Sequence, residues 1–117
     1  MVHNEESVLC LPTQRGFSVI KPSEIIYCEA HRSYTLFKFN VNQSILITKP
    51  LCEYERKLSN GMFCRVHKTY LINLIHVNEY INGEGGYVVM SDNKRIEVSR
   101  RKKKYFLNKI RENFFYF

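Results

Sequence analysis

The sequence predicts a mainly β fold with one or two helices, organised as one domain over residues 1–117. Three observations carry this prediction. Short runs rich in Val, Ile, Tyr and Phe recur along the chain, and turn residues close most of them. Apolar residues at helical spacing follow Thr48 and again follow Ser99. No Gly/Ser/Pro-rich linker divides the 117 residues, and 44% of them are hydrophobic, which suits a single core.

The first elements are "SVLCLP" and "GFSVI", two strands joined by a turn around Thr13 to Gly16. "KPSE" then leads into "IIYCEA", whose apolar residues suit a buried strand. "SYTLFKFN" alternates, with Tyr34, Leu36 and Lys38 on one face and Thr35, Phe37 and Phe39 on the other. "NQ" reverses the chain into "SILIT", making a hairpin over residues 33–48. A helix follows: Thr48 is its expected N-cap, Pro50 lies in the first turn where a missing N–H costs little, and Leu51, Tyr54 and Leu58 share one face. "SNG" at residues 59–61 stops it.

Beyond that helix, "MFCRV" and "IHVNEYI" read as strands, "GEGG" at residues 83–86 as a hairpin turn, and "GYVVM" with "RIEVS" as a pair around "SDNK". The final helix is expected to take Ser99 as its N-cap and to run through "RRKKKYFLNKI". That spacing turns Phe106 and Ile110 inward and leaves Arg101, Lys102 and Lys104 free. The closing "FFYF" is apolar enough to dock on the body or to mark a contact made elsewhere.

Composition narrows the function. No apolar run approaches a membrane span and no basic-then-apolar leader opens the chain, so the expectation is a soluble, cytoplasmic protein. Cys10, Cys28, Cys52 and Cys64 each lie in an apolar stretch and are expected to be reduced, mostly buried thiols. Cys64 and His67 stand three apart on an extended run, where successive residues face opposite ways and residues three apart do too, which argues against a shared metal or a catalytic dyad. No Gly-rich phosphate loop and no close carboxylate pair appears, so no cofactor, metal site or enzymatic activity is expected. Residues 94–104, "KRIEVSRRKKK", hold seven of the eighteen Lys and Arg residues and one of the eleven acids, which places most of the net charge of +7 in one segment. Such a pole suits a solvated face, an anionic membrane or a phosphate backbone.

One stretch resists a scaffold reading. In "RVHKTYLINL", residues 65–74, the polar groups of Arg65, His67, Lys68 and Asn73 interrupt an apolar, strand-like run. It contributes one of three places where hydrogen-bonding tips sit on loops or element ends. These are "HRSY" at 31–34, "HKT" at 67–69 and "SRRKK" at 99–103, the last at a helix start whose free N–H groups favour phosphate. Each has a plain alternative: His31 and Arg32 as solvated turn residues, His67 as a satisfied core histidine, and residues 99–104 as a solvated helix face. Together they favour a polyanion, because arginine suits guanine edges while lysine, serine and threonine suit phosphate oxygens.

The order "EIIYCEAHRSYTLFKF", "ILITKPLCEYERKL", "FCRVHKTYLINLIHVNEY" and "RIEVSRRKKKYF" resembles the LytTR-type DNA-binding domain, with a core from about residue 8 to about residue 110 and the block Phe63 to Asn73 as its most specific element. The resemblance implies an elongated arrangement of small antiparallel sheets with one or two helices, and DNA binding through loops. It also implies either the output half of a bacterial response regulator, with a receiver domain in cis or in a longer chain, or a stand-alone regulator. By alignment, Ser33, Tyr34 and Arg101 fall where family members reach successive major grooves, and Lys68 falls where a side chain addresses the minor groove between them. Arg32, His67, Thr69, Arg100, Lys102 and Lys104 fall beside them as phosphate contacts, while Arg65 and Asn73 fix the loop.

The expected function is therefore sequence-specific binding of double-stranded DNA in transcription regulation, with a second copy on tandem half-sites and no membrane partner. The rival is a basic peripheral membrane or protein-interaction module that uses the 99–104 cations and "FFYF" without regard to DNA sequence. A small enzyme using His67 or Cys64 is a third reading, and it needs a pocket and a shifted pKa.

Overall fold

Turn signals divide the chain into hairpins, and hairpins account for most of the architecture. In a computed structural model that describes residues 8–115, β1 (Leu9–Thr13) and β2 (Gly16–Ile20) form a two-stranded sheet. A five-stranded antiparallel sheet contains β3 (Tyr27–His31), β4 (Tyr34–Asn40), β5 (Gln43–Ile47), β6 (Phe63–His67) and β7 (Tyr70–Asn73), in the order β5-β4-β3-β7-β6. β8 (Val77–Ile81), β9 (Tyr87–Met90) and β10 (Arg95–Glu97) make a third sheet, with β9 in the middle. Helices α1 (Leu51–Leu58) and α2 (Lys103–Asn113) complete the fold, with short 3-10 turns at Pro22–Glu24, Leu74–His76 and Arg100–Lys102. The predicted class holds: small antiparallel sheets and two helices, spread over 45 × 39 × 24 Å.

The five-stranded sheet separates two cores. Along each strand successive side chains point to opposite faces. Cys28, Phe37, Phe63 and Leu71 meet Leu11 of β1 and Leu51, Tyr54 and Leu58 of α1 on one side. Tyr27, Cys64 and Ile72 meet Val88, Met90, Ile96 and Phe106 on the other. Strands covered on both faces lose the polar alternation of a half-buried strand, which is why "IIYC" and "YLI" read as continuous apolar runs.

The local expectations hold with four corrections. Thr48 does not cap α1. Pro50 occupies the N-cap with extended backbone (φ −73°, ψ 154°), and its ring disfavours a helical Lys49, so the helix starts only at Leu51. Ser99 stands at the start of a 3-10 turn without a side-chain cap, and α2 begins at Lys103. "RVHKTYLINL" is two strands, β6 and β7, folded back at Lys68–Thr69 with a bulge between Arg65 and His67. Only Cys28 and Cys64 are buried; Cys10 and Cys52 are exposed.

The thiols provide a direct check on this packing. Burial pushes the Cys64 thiol up to about 11 and raises Cys28 as well, so both stay neutral and unreactive near pH 8. Brief alkylation of the native protein at that pH is expected to label Cys10 and Cys52 alone, and all four after denaturation, as read by mass spectrometry. Native labelling of Cys28 at the rate of Cys10 would contradict the two-core arrangement.

Candidate nucleic-acid interface

Strand pairing brings the three suspected segments to one end of the five-stranded sheet. β3 pairs antiparallel with β4, His31 facing Tyr34, so their turn at Arg32–Ser33 closes that end. β3 also pairs antiparallel with β7, Glu29 facing Tyr70, which sets the Lys68–Thr69 turn beside the end of β3. The Ala30 N–H donates to the Thr69 carbonyl at 2.8 Å and ties the two turns together. On the far side of β6, the Ser99 N–H donates to the Val66 carbonyl at 2.9 Å and brings Arg100–Lys102 alongside. The three segments thus form one rim.

Each segment is held by specific contacts. Arg32 adopts φ +60°, a left-handed conformation that glycine occupies at lower cost. A charged side chain is kept there despite roughly 1 kcal/mol or more of backbone strain. Ser33 and Tyr34 are exposed beside it, and the His31 ring lies 3.2 Å from the Glu29 carboxylate.

The Lys68–Thr69 turn has neither Gly, Asn nor Pro to shape it, and side chains do that instead. Arg65 Nε donates to the His67 carbonyl at 2.9 Å, and Nη2 donates to the Lys68 carbonyl. Its Nη1 meets Glu55 Oε1 of α1 at 2.5 Å. The Thr69 N–H donates to His67 Nδ1 at 3.1 Å, so that nitrogen is an unprotonated acceptor. His67 and Thr69 are thereby partly buried turn supports, while the Lys68 side chain stays exposed. Asn73 acts elsewhere: buried, it donates to the Pro22 and Ile25 carbonyls and accepts from the Ile75 N–H, so it anchors the Pro22–Glu24 turn and leaves the rim alone.

In the third segment Arg101 and Lys104 are exposed. Arg100 pairs with Glu84 at 3.2 Å, but both side chains are over three-quarters exposed (76% and 79%), and such a pair holds its partners weakly. Lys102 is not free as the helix pattern suggested. It is partly buried with Nζ 5.0 Å from the centre of the Tyr105 ring. Among the described residues no group of three or more His, Cys, Asp and Glu side chains is placed to hold a metal.

Residues 15–111 match the family described as the LytTr DNA-binding domain. The chain belongs to the LytTR family. Among curated relatives, the sensory transduction protein LytR of Staphylococcus haemolyticus is 26% identical over 110 residues, covering 92% of this chain and 43% of its own. The transcriptional regulatory protein LytR of Staphylococcus aureus is 33% identical over 61 residues, covering 52% of this chain and 24% of its own. The chain therefore spans less than half the length of these relatives. Among solved structures, a LytTr DNA-binding domain from Bacillus cereus superposes with a TM-score of 0.76 at 23% identity, over 91% of this chain and 98% of that one.

Within this LytTR domain, the contacts that hold the rim segments leave little mark in the sequence. Glu55 lies on a helix ten residues before Arg65, and Glu84 lies in a loop sixteen before Arg100. An acidic residue at such a distance gives no local signal. Only the pairing of strands and helices identifies the partner.

Proposed function

We propose that this LytTR domain binds double-stranded DNA with sequence preference and serves as the output domain of a bacterial response regulator. The observation that carries the proposal is the shared rim: three cation-bearing turns at one end of one sheet. The basic segment steers the domain to the duplex, and each phosphate neutralised adds about 0.9 to the slope of log affinity against log salt. Ser33, Tyr34 and Arg101 face base edges in successive major grooves and Lys68 faces the minor groove between them, each good contact discriminating by about 1–3 kcal/mol. Arg32, His67, Thr69, Arg100, Lys102 and Lys104 line the phosphates around them. A second copy on a tandem half-site, about one helical turn away, raises affinity through linkage, and a receiver domain in a longer chain supplies the regulatory input.

In vitro selection from random duplexes supplies the test sequence and its half-site spacing. Fluorescence anisotropy at two salt concentrations then compares the variants. Arg101→Ala is expected to flatten the preference for the selected site by about 1–3 kcal/mol, whereas Lys104→Ala lowers affinity for all duplexes alike and reduces the salt slope by about 1. Wild-type behaviour of both variants contradicts the site assignment. Equal binding to anionic vesicles and duplexes, with no site preference, favours the peripheral membrane reading instead.

A further inference from the structure

The rim has a fourth side. β5 lies beyond β4 at the edge of the five-stranded sheet, and its antiparallel pairing sets Ile47 opposite Thr35. β5 therefore ends where β4 begins, next to Tyr34. From there the chain bends through Thr48, Lys49 and Pro50 into α1. Thr35 is fully buried, and its hydroxyl donates to the Lys49 carbonyl at 2.8 Å. A buried hydroxyl is costly without a partner, so this bond fixes the bend as well as satisfying the threonine. Pro50 keeps Lys49 out of the helix, and the Lys49 side chain is exposed, with no ion pair among the described residues.

We infer that Lys49 is a fourth DNA-contacting group, which neutralises a phosphate flanking the groove entered by Tyr34, on the side opposite Arg101. The inference rests on the DNA-binding reading above and extends its footprint. Sheet order sets the sequence of contacts along the rim: the β5–α1 bend, the β3–β4 turn, the β6–β7 turn, then Arg100–Lys102. Four strand spacings separate β5 from β6, about 19 Å in all. A duplex carries one charge per about 1.7 Å of its axis, both strands counted, so phosphates border the groove within reach of a long, flexible side chain at the end of that rim. A flexible ammonium suits a phosphate better than the edge of a base, so Lys49 contributes affinity without base preference. Thr35 is the positioning residue behind it.

The test uses the selected duplex and a scrambled one, titrated at several salt concentrations. Lys49→Ala is expected to weaken both complexes by the same factor, a few-fold, and to lower the salt slope by about 0.9 while base preference stays unchanged. Lys57→Ala removes the same charge about two helical turns further along and is expected to change neither quantity. Thr35→Val should lower the slope in the wild-type background but not in Lys49→Ala, because it acts through that residue. Lys49→Ala with unchanged affinity and slope, while the wild type binds its site, overturns the inference and leaves the DNA-binding reading intact. An equal loss in Lys57→Ala also overturns it, since only overall charge then matters. A wild-type chain that binds no duplex overturns both.

Discussion

Phe106→Ala is expected to lower the unfolding free energy by about 3–5 kcal/mol, the usual cost of deleting a buried aromatic ring. Phe106 is 1% exposed and is the buried residue through which α2 enters the second core, where it packs 5.3 Å from the Tyr80 ring and joins Val88, Met90 and Ile96. The consequence reaches beyond stability. α2 continues directly from the Arg100–Lys102 turn, so a helix that has lost its anchor no longer holds that end of the rim against Val66. Urea unfolding followed by circular dichroism measures the first effect. The second appears as DNA binding, in conditions where the variant is still folded, that no longer responds to Arg101→Ala. Phe115→Ala is the control: at 93% exposure, its loss should stay within about 0.5 kcal/mol.

Arg65→Met should reduce DNA affinity at least tenfold and cost about 2 kcal/mol of stability, since hydrogen bonds to a charged group contribute roughly 1.5–3 kcal/mol. One guanidinium joins three acceptors: the carbonyls of His67 and Lys68 and the carboxylate of Glu55. Methionine keeps much of the stem and none of the fork. The Lys68–Thr69 turn then loses the contacts that shape it, and Glu55 loses its counter-ion. Arg65→Lys is expected to recover little, because a single ammonium cannot span acceptors that the planar fork meets together. Glu55→Gln should be milder, since an amide oxygen still accepts from Nη1. An Arg65→Met protein with wild-type DNA affinity would show that the rim does not depend on this turn.

What the sequence made legible follows from where each signal resides. α1 was readable because Leu51, Tyr54 and Leu58 repeat at helical spacing and "SNG" stops the pattern, both local features. Its start was misplaced because a proline and a distant buried threonine, not a capping side chain, govern the bend before it. The β6–β7 hairpin escaped notice for a related reason. Its turn is held by Arg65 and, behind it, Glu55, whereas turn recognition relies on Gly, Asn and Pro at the turn itself. His67, Lys68 and Thr69 stand out in the sequence by their chemistry alone; the hairpin that presents them does not. Lys49 carried no signal of its own, since a lone lysine before a proline is ordinary until the strand order puts it beside Tyr34.

Amide chemical-shift mapping shows whether the separate turns act together as one DNA-facing rim. Titrating the selected duplex into 15N-labelled protein is expected to shift residues 31–34, 49, 67–69 and 99–102 together, with one common affinity. Amides of β2 and β9 should stay in place. Lys49 stands at the mouth of the groove between β1 and α1; shifts concentrated inside that groove, around Leu11, Tyr54 and Leu58, with residues 31–34, 49, 67–69 and 99–102 silent, would contradict a shared rim.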